Sequence, residues 1–321
     1  MGRALSGARF RSQAGRDASR QNDFWRRYSG LRALGLAYPV EGDESAINGV
    51  TDVFQSWLGL EQTAATYHAD RWGLLRRDAA MHETLARRLA PEDLASLLDT
   101  VEVEGLNYIE AARLLGRGVV FLSLHYSLYA SILVLWLARA ASQGLFDHLS
   151  VLYVARPDGK PSVFAQAMQR SESAGFISSS TIRLVDLGQG PVRATRNLIA
   201  GLQAGGAALI FSDRLSLAGE DKRSVTITVA HREVGIARGV PWVIKAAKAP
   251  ILPVYIHPHA DGRHAIVFGP AARTDLEGDA SNEVRSAMQY LIDRAVLTDP
   301  DPWDGWAAIA QLGINVAPPL V

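Results

Sequence analysis

The chain has 321 residues, 48% of them hydrophobic and 21% charged, with 33 basic and 33 acidic side chains and no cysteine. That length and apolar content suit one large α/β domain or two modest ones. The balanced charge supplies no global field toward nucleic acid, and the lack of cysteine excludes disulfides, thiolate metal ligands and a cysteine nucleophile, in keeping with a reducing cytoplasm.

Residues 1–22 read as a flexible basic arm, with Arg3, Arg9, Arg11, Arg16 and Arg20 against the single acid Asp17. No apolar run follows, so no secretory leader is expected. Residues 23–100 read as a helical region. Phe24, Trp25, Tyr28, Leu31 and Leu34 recur at helical spacing, with Arg26 and Arg27 between them. Such a basic amphipathic face suits either a lipid surface or the main domain. Tyr67 to Leu89 mixes Arg and Leu in the same way, and Pro91 opens a helix running through Leu97.

Residues 101–321 read as an α/β domain. Val101 to Gly105 alternates as a short strand, and Leu106 to Leu115 is a helix stopped at Gly116-Arg117-Gly118. Val119 to Leu124 is a continuous apolar run, the mark of a buried parallel strand, and it ends at His125. Val119 to Ala138 is the longest apolar stretch, but it contains His125, Ser123, Ser127 and Ser131 and reads as strand, turn and helix, not a membrane span. Strands are expected at 150–155, 182–187, 207–211, 224–229, 251–256 and 264–268, with helices at 130–141, 162–174, 192–204 and 239–247. This alternation predicts a mostly parallel sheet with helices on both faces.

Ligands of open α/β sheets gather beyond the carboxyl ends of strands. His125, Arg156 and the pair Asp213-Arg214 each follow a predicted strand and should open on one rim. A neutral imidazole there can take a proton from a hydroxyl or amine near pH 7. Backbone N–H groups from Ser127 to Ala130, or an arginine, can meet the oxyanion that forms. Arg238 lies between Gly235 and Gly239, where backbone can approach a ligand closely. His257 and His259 share one face of a strand but lack an obvious third ligand, so no metal is expected. No phosphate-binding glycine motif and no serine-hydrolase elbow is present.

The segments Val101 to Leu106 and Gly116 to Tyr126 resemble the bacterial lipid A biosynthesis lauroyl acyltransferase family and the wider lysophospholipid and glycerolipid acyltransferase superfamily. Gly205 to Asp213, His231 to Gly239 running into Ala249 to Val254, and Asp301 to Trp306 resemble later blocks of that family in the same order. The likeness spans roughly residues 65–310. It implies an α/β fold and transfer of an acyl group from acyl carrier protein or coenzyme A to an acceptor. It also implies a role for Arg156 at a substrate head group or donor phosphate, and for the loop holding Arg238 along the cleft. The family signature places an acid five positions after its histidine. Here those positions are His125 and Ala130, so the acid is missing; Ser127 stands where glycine is usual.

Three outcomes are open. Another acid takes over, with Asp213 first in line; or the reaction needs less base assistance; or the chain binds an acyl ligand without turnover. The resulting expectation is an acyltransferase with His125 as general base. Arg156, Ser127, Arg214 and Arg238 are its expected substrate contacts. It would hold no bound cofactor, and its donor would be a carrier-protein or coenzyme A thioester, with aminoacyl-tRNA as an outlying option. The acceptor would be a small molecule or lipid, and the location cytoplasmic with peripheral contact at the inner membrane. The alternative is a non-catalytic acyl- or lipid-binding protein on the same scaffold.

Overall fold

The computed structural model describes residues 43–88, 91–115, 118–126, 130–153, 168–169, 172–173, 175, 177–217, 224–236, 239–259, 263–272 and 279–312. A seven-stranded sheet forms its centre, built from β1 (Glu102–Glu104), β2 (Val119–Ser123), β3 (Leu149–Tyr153), β4 (Ile182–Asp186), β5 (Ala207–Phe211), β9 (Ile251–Pro258) and β10 (His264–Phe268). The order across the sheet is β1-β10-β9-β2-β5-β3-β4. Five neighbours from β9 to β4 run parallel, and β10 turns back antiparallel to β9 with β1 parallel to it. The expected mostly parallel sheet is therefore mixed at one edge. The cause is the short connection from Pro258 to His264, which allows a hairpin but no crossover.

Each central strand is buried on both faces, as continuous apolar runs require. Phe121, Leu209, Leu252 and Val254 face α3 (Pro91–Asp99), α4 (Leu106–Arg113) and α5 (Ala130–Ser142). Ten of the thirteen residues of α5 are buried, which explains why it is apolar all round. Val120, Leu122, Ala208 and Ile210 face α6 (Pro191–Gln203), α7 (Gly239–Ala247) and α8 (Ala280–Leu291). Gly118 is needed just before β2, because a side chain there would run into the carbonyl oxygens of Gly206 and Leu202.

Helices α1 (Asp43–Leu58) and α2 (Gln62–Arg88) share the second of these cores. Val50, Val53, Phe54 and Trp57 make the buried stripe of α1, and Ala65, Ala69 and Trp72 that of α2, both at helical spacing. They meet the closing helix α9 (Gly305–Gln311), where Phe54 sits edge-on to Trp306 at 5.2 Å.

A second sheet was not expected. β6 (Leu215–Leu217), β8 (Arg232–Ile236) and β7 (Val225–Val229) pair antiparallel in that order, so the strand read at 224–229 lies outside the main sheet. Ala230 and His231 make the two-residue turn between β7 and β8, with φ of 47° and 66°, the left-handed values such a hairpin demands. The helix expected at 162–174 and the basic arm lie largely or wholly outside the described residues.

Candidate active site

Strand register builds the site. Ser123 of β2 pairs with Phe211 of β5, and the Ser212 N–H donates to the Ser123 carbonyl at 3.0 Å. Two residues further along each strand, at the carboxyl rim, His125 comes level with Asp213. The His125 N–H donates to Asp213 Oδ2 at 2.8 Å, and His125 Nδ1 lies 2.7 Å from Asp213 Oδ1. A third donor, Trp303 Nε1–H, reaches Oδ2 at 3.1 Å. The Asp213 side chain is 2% exposed, so all of its anchoring comes from these groups.

The imidazole is 48% exposed on its side chain. Phe211 stacks on one face at 4.8 Å and 26°. With Nδ1 held by the carboxylate, Nε2 has no hydrogen-bond partner among the described residues. Burial of part of the ring disfavours its charged form. The Asp213 carboxylate, by charge and hydrogen bond, and then Asp304 outweigh that and hold the histidine above its ordinary value. The arrangement is an oriented base: one nitrogen fixed, the other open toward the rim.

The segment after α8 locks this pair. The helix continues through a π turn, Ile292–Val296, and Trp303 then bridges Tyr126 as an isolated antiparallel pair. The Asp304 N–H donates to the His125 carbonyl at 3.1 Å. Trp72 Nε1–H of α2 donates to the Trp303 carbonyl at 3.1 Å, and the Arg76 guanidinium lies over the Trp72 ring at 4.7 Å and 3.3 Å from Asp304 Oδ1. Burial holds the Asp304 carboxyl above its usual range, against the pull of Arg76 and His125. Gly305 is required here, since a Cβ would run into the Trp303 indole.

Of the residues singled out in the sequence, the structure brings His125 and Asp213 together. Arg214 is exposed beside Asp213. Ser127, Arg156 and Arg238 lie outside the described residues. Phe211, Trp303, Asp304 and Arg76 were not assigned a place at the site; the blocks Gly205 to Asp213 and Asp301 to Trp306 hold the first three, and nothing local marked Arg76. His257 and His259 do share a face, with rings 5.6 Å apart and edge-on. Among the described residues no group of three or more His, Asp or Glu is placed to hold a metal ion, and no helix is long and apolar enough to cross a membrane.

A cavity of about 200 Å³ lies on the same rim, one strand away, and His125 is not in its wall. It follows Tyr126, Tyr255, His257 and Asp299 on the side of β2 that faces β9.

No family model matches the chain, and no curated protein matches it. Among solved structures it is similar to the 1-acyl-sn-glycerophosphate (LPA) acyltransferase PlsC from Thermotoga maritima, at 14% identity over 79% of this chain and 94% of that one, with a TM-score of 0.37.

Proposed function

We propose that the chain is an acyltransferase that moves an acyl group from an activated donor to a hydroxyl or amine, with His125 as general base and Asp213 as the group that orients it. One observation carries the reading: the 2.7 Å contact between His125 Nδ1 and Asp213 Oδ1, which leaves Nε2 open on a half-exposed ring. The acid absent at Ala130 has a counterpart 88 residues along the chain from His125. The order of sequence blocks that resembles the lauroyl acyltransferase family points to the acyl class.

The chemistry balances without a bound cofactor. Nε2 takes the proton of the acceptor O–H or N–H as that atom attacks the thioester carbonyl of a carrier-protein or coenzyme A donor. A tetrahedral oxyanion forms, for which backbone N–H groups near Ser127, or Arg156, Arg214 or Arg238, are the donors to test. The C–S bond then breaks, and the imidazolium returns the proton to the leaving thiolate. Asp213 holds the productive tautomer and stabilises the imidazolium. In this reading residues 101–321 carry the chemistry, α2 braces its rim through Trp72 and Arg76, and the enzyme works in the cytoplasm with peripheral contact at the inner membrane.

The test is a panel of acyl-carrier, acyl-coenzyme A and aminoacyl-tRNA donors, offered with hydroxyl and amine acceptors and read by mass spectrometry. Wild type should yield a transferred product that His125→Ala does not. Product formation unchanged in His125→Ala removes the ring from the mechanism; tight donor binding with no product in either protein favours the acyl-binding alternative.

A further inference from the structure

The cavity beside Tyr126 is lined by charges of both signs that do not close on one another. Arg294, on the π turn, supplies a guanidinium; Glu104, at the end of β1, and Asp299 supply carboxylates. Neither the Arg294 nor the Glu104 side chain has a hydrogen bond or an ion pair among the described residues. Asp299 Oδ2 stands 3.9 Å from His257 Nδ1, too far for a hydrogen bond. Burial, with His259 adding to it, keeps the His257 imidazole below its ordinary value against the pull of Asp299 and Glu104, so it lines the wall as a neutral ring. The Tyr126 and Tyr255 rings, edge-on at 5.7 Å, form an apolar flank.

From that lining we infer that the cavity binds a small zwitterion of the α-amino acid class, its carboxylate on Arg294 and its ammonium between Glu104 and Asp299. Unjoined charges of both signs lining one cavity favour a ligand that carries both partners over one that carries either alone. A guanidinium fork is the natural partner of a carboxylate, and the two acids with a neutral imidazole suit an ammonium. Size narrows the class further. At about 200 Å³ the cavity falls below the roughly 300–1,000 Å³ of drug-sized pockets. That holds about ten non-hydrogen atoms, fewer than a long acyl chain or a nucleotide carries. Tyr126 is both a wall of this cavity and the chain neighbour of His125, so an occupant sits beside the dyad. The inference goes beyond acyl transfer and stands without it.

The experiment measures binding alone, with no acyl donor present, so its failure and a failure of transfer are separable. The common L-amino acids are titrated singly by calorimetry. The tightest is then compared with the amine and the acid left by removing its carboxyl or amino group. At least one amino acid should bind, at least tenfold tighter than either analogue. Arg294→Gln should bring the amino acid down to the affinity of the amine, while Glu104→Gln combined with Asp299→Asn should bring it down to that of the acid. Arg294 and Glu104 are exposed, and thermal melts of the variants check that they remain folded. No amino acid binding, analogues that bind as well as their parent, or variants that leave the affinity unchanged would each overturn the assignment.

Discussion

His125–Asp213 and His68–Asp301 use the same two groups, joined through Nδ1 at 2.7 Å and 2.6 Å. What surrounds the second carboxylate oxygen separates them. Asp301, fully buried, turns its other oxygen to the Arg71 guanidinium at 2.9 Å, and Phe54 and Tyr67 pack edge-on against the His68 ring. Burial pushes the Asp301 carboxyl up, and His68 and Arg71 pull it back. Among the described residues, Asp213 meets only neutral donors at its other oxygen, the His125 N–H and the Trp303 indole. A cation at that place neutralises the pair and makes it a clamp between α2 and the closing segment. Neutral donors fix the carboxylate and leave its charge to act on one imidazole.

The largest effect that separates the two lies in turnover. Asp213→Asn should lower kcat by about 10³–10⁴-fold, the scale seen when the orienting carboxylate of a serine-protease triad is lost. Asp301→Asn should leave turnover per folded molecule within a few-fold. Steady-state kinetics on both variants checks this, and an equal loss in both would erase the distinction between base and clamp.

Stability should show the reverse order. Breaking one side of a buried ion pair costs about 3–5 kcal/mol, and the partly exposed Arg71, which water can reach, puts Asp301→Asn near the lower end. The urea midpoint should fall with an unchanged slope. Midpoint loss confined to Asp213→Asn would mean that the rim pair, not the clamp, holds the closing segment.

The centre of the sheet was legible in the sequence because β2 and β5 are continuous apolar runs that follow glycine. Ala207–Phe211 and His264–Phe268 have the bounds read from the sequence, and the others differ by one or two residues at their ends. β8 was not, since Arg232 to Ile236 mixes charge and glycine, and its pairing depends on the hairpin at Ala230 and His231. The contact of His125 with Asp213 follows from parallel register, which the shared rim suggested. The grip of Trp303 on Asp213 joins residues 90 apart, and no periodicity encodes it. The same holds for His68 with Asp301, 233 apart, one on α2 and the other in the turn before α9.

The smallest and sharpest difference lies in pH dependence. His125 titrates above its ordinary value of 6.5 because Asp213 favours the imidazolium more than burial opposes it. The charged pair therefore contributes stability that is fully present below about pH 6.5 and is lost as pH rises through the folded value. Under the proposed general-base role activity runs the other way, since only the neutral ring accepts a proton, so log kcat/KM should climb through a value above 6.5 and then level. Asp213→Asn removes the favouring charge and should move that limb down. Trp303→Phe takes one donor from Asp213, leaves its charge less shared, and should move the limb up, with a plateau loss of at most about 10–150-fold, the scale of one hydrogen bond to a charged group. Opposite shifts would identify the indole as a positioning residue acting through the carboxylate, whereas a limb unmoved in Trp303→Phe would reduce it to packing.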